Sequence, residues 1–165
     1  MEMVNFIMVM ECLGICLIFV ALILLLNGEG AREQKLLIFI MCGSLVQNVG
    51  YLLELTAPTL EAAVTAVTVE NVGSAFVPLC YCWFIYIYCY AAPPKPLLRT
   101  LAAVNFLVLP TVFFNWGGLF YRDFQWLSTA DGFHYISITY GPLYILFMFT
   151  RIIIPYILCF TTLVR

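Results

Sequence analysis

Charge is scarce in this chain. Asp, Glu, Lys and Arg make up 10% of its 165 residues, histidine occurs once, and the formal net charge is -2, with a pI of about 5.2. No basic face is available to a phosphate backbone, so nucleic acid is excluded as a partner. HExxH, a spaced Cys/His ligand set and GxSxG are all missing. The commonest metal-dependent and serine-dependent hydrolase sites are therefore absent. His134, Asp123 and Asp131 could be assembled on paper into a catalytic group, but little else that a catalytic site requires accompanies them. No catalytic machinery, metal or cofactor is expected. The seven cysteines (Cys12, Cys16, Cys42, Cys80, Cys82, Cys89 and Cys159) are missing from the polar connections and fall inside apolar runs. They read as small buried hydrophobes rather than a disulfide framework. Cys80 and Cys82, two apart, point to different faces of a helix, so the pair reads as packing. No internal repeat or low-complexity segment is found. The basic leader of a secretory signal is missing as well, since Glu2 and Glu11 are the only charges before the first loop. The first helix is expected to be retained.

Hydrocarbon is what the sequence holds in abundance: 64% of residues are hydrophobic and the mean hydropathy is +1.04. A chain of this length cannot hide so much apolar surface from water, which predicts an all-α integral membrane protein with about five spans of roughly 20 residues each. The spans are expected at residues 3–26, 36–55, 71–90, 97–115 and 141–164, forming one domain over residues 1–165. Asn27-Gly28, Thr56-Ala57-Pro58 and Pro93-Pro94-Lys95-Pro96 punctuate them. The third helix, running from Pro58 to Tyr90, would be roughly 50 Å long, so residues 59–70 are expected at the outer interface. Bends are expected at Gly73, Pro78, Pro110 and Pro155. Arg32, Lys35, Lys95, Arg99 and Arg165 fall on one side, whereas Glu2, Glu61, Arg122, Asp123 and Asp131 fall on the other. The positive-inside rule then places the N-terminus outside and the C-terminus in the cytoplasm.

Residues 116–140 are expected to form an extracellular cap between spans four and five. Asp131-Gly132 is a turn signal between two arms rich in strand-forming residues, 120–127 and 133–139, which predicts a short hairpin. His134, Ile136, Ile138 and Tyr140 would share one face, suited to lying over the bundle. Trp116, Tyr121, Trp126, Tyr140 and Tyr144 suit either an interfacial aromatic belt or the wall of a pocket. With Glu54 and Glu70 near its mouth and His134 in the second arm, such a pocket would be the ligand site.

Polar groups inside the spans form a second candidate. Glu11 lies about 12 Å down span one and Arg151 about 15 Å down span five, and Gln47, Asn48 and Asn105 fall at similar depth. A central charge is costly in hydrocarbon, so an ion pair between Glu11 and Arg151 is expected within this layer. The layer suits either helix-to-helix hydrogen bonding or the floor of a pocket opening outward.

Four stretches in series carry a family resemblance: Gly50-Tyr51-Leu52-Leu53-Glu54-Leu55, then Glu70-Asn71-Val72-Gly73-Ser74-Ala75-Phe76-Val77-Pro78, then Gly118-Leu119-Phe120-Tyr121, then Tyr140-Gly141-Pro142-Leu143-Tyr144. In order and spacing the chain resembles the N-terminal seven-transmembrane sensor region of bacterial histidine kinases. The resemblance implies a signal-input domain in the bacterial inner membrane, followed in such proteins by a kinase or diguanylate cyclase output module. These residues hold about five of the seven helices and no ATP-binding or phospho-acceptor segment. The partners it implies are membrane lipid, a small-molecule or membrane-borne signal, a second copy of the chain or a cytoplasmic signalling protein. The competing expectation is a small transporter or channel component that uses the polar layer as its path.

Overall fold

A computed structural model describes residues 2–28, 30–129 and 132–164. Its elements in order are α1 (Glu2–Leu26), α2 (Arg32–Leu55), α3 (Leu60–Ser74), α4 (Val77–Tyr88) and α5 (Lys95–Phe114). A 3-10 turn (Trp116–Gly118), strands β1 (Tyr121–Ser128) and β2 (His134–Tyr140), and α6 (Pro142–Met148) follow. A wide π turn (Phe149–Ile153) then leads into α7 (Ile154–Leu163). Among the described residues, five helical stretches are long and apolar enough to cross a bilayer: Val4–Leu26, Arg32–Leu55, Leu60–Tyr88, Lys95–Phe114 and Pro142–Leu163. The third combines α3 with α4, and the fifth combines α6, the π turn and α7.

The third stretch is interrupted once. Its helical part begins at Leu60, where the Thr59 hydroxyl accepts a hydrogen bond from the Ala62 N–H at 3.2 Å, a side-chain N-cap. Residues 60–70 are thus continuous with the apolar stretch. The break falls at Ala75-Phe76, between Gly73 and Pro78. Pro78 opens α4, where a missing N–H is tolerated. Gly73 has another task. A Cβ there would lie 2.9 Å from the Gly43 carbonyl oxygen, and one on Gly50 would lie 2.8 Å from the Glu70 Cα. Glycine at these positions lets the α2 and α3 backbones touch, the small-residue packing that hydrocarbon favours. Pro110 lies within an unbroken α5. Pro155 opens α7 directly after the π turn, having no N–H to close an ordinary helical turn there.

β1 and β2 pair antiparallel, with Trp126 opposite Ile136 and Tyr121 opposite Tyr140. Asp131, half of the expected turn, and Arg165 lie outside the described residues; Gly132 adopts φ +78°, which suits glycine. The hairpin is fixed at its base by Asn115, itself left-handed at φ +41°. Its Nδ2 donates to the Tyr121 carbonyl at 2.7 Å and its Oδ1 accepts from the Tyr121 N–H at 2.9 Å. On the other strand, Gly141 N–H donates to the Phe120 carbonyl at 2.8 Å, so both strands leave the bundle from one anchored point.

Two buried clusters hold the helices together. One gathers Val67, Val108, Val112, Phe120, Tyr121, Ile136 and Phe147 beneath the hairpin. The other gathers Leu79, Cys82, Ile85, Leu98, Leu101 and Cys159 from α4, α5 and α7. Between them Asn105, fully buried, donates from Nδ2 to the Ala75 carbonyl at 3.3 Å and accepts from the Thr150 hydroxyl at 2.7 Å. It thereby ties the break in span three to the π turn in span five. By contrast, α1 has only Leu22 buried among its described side chains; its other apolar residues are half-buried along α2 or exposed.

Candidate functional site

The polar groups converge between the hairpin and the bundle. Asn71 of α3, buried, donates from Nδ2 to the Tyr121 hydroxyl at 2.9 Å and to the Val67 carbonyl at 3.0 Å. Its Oδ1 accepts from Arg151 Nη1 at 3.2 Å. One amide thus joins span three, the first strand and the π turn of span five. The Arg151 guanidinium carbon lies 5.1 Å from the Phe147 ring centroid, a cation–π contact, and its Nε is buried with no partner among the described residues. A wide turn carrying the charged residue of a span is a common setting for functional groups.

Arg151 lines a cavity of about 300 Å³ together with Glu54, Val67, Glu70, Asn71, Ile136, Ile138, Tyr140 and Tyr144. These residues come from α2, α3, β2, α6 and the π turn, so the second strand forms one wall. Tyr140 and Tyr144 stack with ring centroids 3.6 Å apart. Burial pushes the Tyr140 phenol above its ordinary range, with Tyr144, Glu70 and Glu54 adding to the shift. Burial likewise raises Tyr121, which Tyr140 and Glu70 reinforce and the bond from Asn71 opposes. Both phenols are held neutral, as hydrogen-bonding groups rather than acids.

The site residues expected from sequence divide clearly. Glu54, Glu70, Tyr140, Tyr144 and Arg151 share the cavity, and Tyr121 touches it through Asn71. Trp116 does not: it is 58% exposed and stacks on Phe114. Trp126 and His134 stack on each other at 5.5 Å farther along the hairpin, with His134 Nδ1 2.8 Å from the Ser128 hydroxyl. The polar layer is not gathered into one place either. Gln47 and Asn48 lie on α2 outside the cavity lining, and Asn105 serves the helix breaks. The expected pairing of Glu11 with Arg151 is corrected: the guanidinium bonds Asn71, and the carboxylates sharing its cavity are Glu54 and Glu70. Depth alone does not fix which face of a helix a side chain occupies. Asn71 is the residue that sequence reasoning missed, although a buried amide in an apolar helix signals an interhelical bond.

Five helices long and apolar enough to cross a membrane thus hold a polar cavity against a hairpin. Residues 9–165 match the N-terminal 7TM region of histidine kinase, and the chain belongs to that family. It is accordingly a multi-pass membrane protein of the sensor part of histidine-kinase signalling, and no catalytic domain is indicated in these residues. No curated protein and no solved structure matched the chain.

Proposed function

We propose that the chain is a signal-input domain of the bacterial inner membrane, with its N-terminus and hairpin outside and its C-terminal end in the cytoplasm. The cavity between β2, α3 and the π turn receives the signal, and span five relays it to a cytoplasmic output module. The observation that carries this reading is the hydrogen-bonded chain from Tyr121 through Asn71 to Arg151. A ligand touching the hairpin wall acts through it on the one wide turn of the span that leads inward. Two carboxylates stand against one guanidinium in the lining, so a signal bearing an ammonium group complements the cavity better than an anion.

Thermal unfolding of the chain in nanodiscs tests this, with ethylammonium, acetate and acetamide as probes of the three charge classes. A ligand that binds the folded state alone at about a hundred times its Kd stabilises it by roughly 2.7 kcal/mol. Saturable stabilisation by a probe, lost in Glu70→Gln and Arg151→Gln, supports the site. Stabilisation by none of the three sinks it. The orientation is tested separately in cells: Ser128→Cys reacts with an impermeant maleimide added outside, and Arg99→Cys reacts only after lysis.

A further inference from the structure

A second, larger cavity lies away from the polar site. It is a groove of about 430 Å³ between α2 and α4, lined by Arg32, Lys35, Leu36, Phe39, Cys80 and Trp83. Its charge sits at one end. Arg32 opens α2 and Lys35 follows one turn later, both exposed, whereas Leu36, Phe39 and Cys80 supply an apolar floor. From Arg32 to Phe39 the groove follows α2 for about 10 Å at 1.5 Å per residue. The Arg32 guanidinium carbon stands 5.9 Å from the centroid of the Trp83 ring, whose Nε1 is buried without an acceptor among the described residues. Among the described residues, Glu33 beside them lines a separate cavity with Ile87, Tyr88 and Tyr90.

We propose that this groove binds one anionic phospholipid, its phosphate between Arg32 and Lys35 and an acyl chain along Leu36, Phe39 and Trp83. Two cations at the end of an apolar channel match an amphiphile with a single negative head, and lipids of that charge gather at basic helix ends. A zwitterionic lipid carries its own cation into the same place and gains less. Trp83, set between head and chain, is an amphipathic ring of the kind that interfaces select.

The test uses the full chain in nanodiscs, with Trp116→Phe and Trp126→Phe leaving Trp83 as the sole indole of the three. Phosphatidylglycerol and phosphatidylcholine carrying brominated chains are compared as quenchers of its fluorescence. The expected result is a preference for phosphatidylglycerol of about fivefold per basic side chain, weakened by salt. Lys35→Gln should remove part of it without disturbing the Arg32–Trp83 contact, and Arg32→Gln with Lys35→Gln should remove the rest while phosphatidylcholine quenching persists. Equal quenching by the two lipids overturns the proposal, as does a preference indifferent to both substitutions. Absence of quenching by either lipid also overturns it, since another helix or a second copy then covers the groove. Native mass spectrometry of the unaltered chain decides the same question should the tryptophan variants misfold: retention of phosphatidylglycerol no greater than of phosphatidylcholine overturns the proposal.

Discussion

Under the hairpin, buried aromatic rings are interleaved with hydrogen bonds: Phe120 meets Phe147 edge-on at 5.4 Å, and Tyr121 beside them is held by Asn71. At the far end, Leu79, Ile85, Leu98 and Leu101 pack with Cys82, Tyr86 and Cys159, a cluster made mostly of apolar contacts. Aliphatic contacts resist separation, yet they carry little information about direction, because each can slide over its neighbour at small cost. A chain of directed bonds has one satisfied geometry. Under the proposed function, the first end is where a signal would be read and the second is where the helices are held.

Four substitutions or titrations put that contrast at risk. Phe120→Ala should have the largest effect, about 4 kcal/mol of stability lost on thermal unfolding in nanodiscs, because a fully buried ring leaves a cavity at the anchored base of the hairpin. Leu101→Ala, at the aliphatic end, should cost about 3 kcal/mol in the same assay, nearer the low side of its class because hydrocarbon surrounds the bundle. Asn71→Leu should cost about 2 kcal/mol and, more tellingly, couple to Arg151→Gln by roughly 1 kcal/mol in a double-mutant cycle. The same cycle between Leu101→Ala and Arg151→Gln should be additive; coupling there of similar size would erase the distinction between the two ends. The smallest effect is alkaline. Tyr121 and Tyr140 have folded pKa values raised by burial above the unfolded value of about 10, so their neutral forms stabilise the fold fully below that pH. This contribution should fade as pH rises from about 10 through the folded values, followed as tyrosinate absorbance during unfolding, and Tyr121→Phe should lessen the slope.

Much of this architecture was legible because its causes are local. Runs of apolar residues long enough to span are visible without any partner, and the ends of α1, α2 and α5, the start of α6 and the end of α7 fall within four residues of where composition changes. The two strands likewise lie close to the arms rich in Tyr, Phe, Trp, Ile and Thr. Arg151, Glu54, Glu70, Tyr140 and Tyr144 stand out as polar groups among hydrocarbon, and their gathering in one cavity follows from helices placed side by side. What stayed hidden depends on pairs distant in sequence. That Gly43 meets Gly73, and Gly50 meets Glu70, across two backbones requires knowing which helix faces α2. Counting depth suggested Glu11 for Arg151, but the bond goes to Asn71, eighty positions away, because the face is set by packing. The break at Ala75-Phe76 is met by Asn105, thirty residues on, whose amide no local pattern assigns to that carbonyl.

The π turn gives span five a countable phase. The Ile154 N–H reaches the Phe149 carbonyl five residues back, one more than an α-helix uses. Drawing that surplus residue into an ordinary turn would rotate everything beyond it by about 100° and shift it by about 1.5 Å along the axis. Cys159 would then swing off the aliphatic cluster it now completes with Cys82. Any second register of the span would therefore differ from this one by a whole residue.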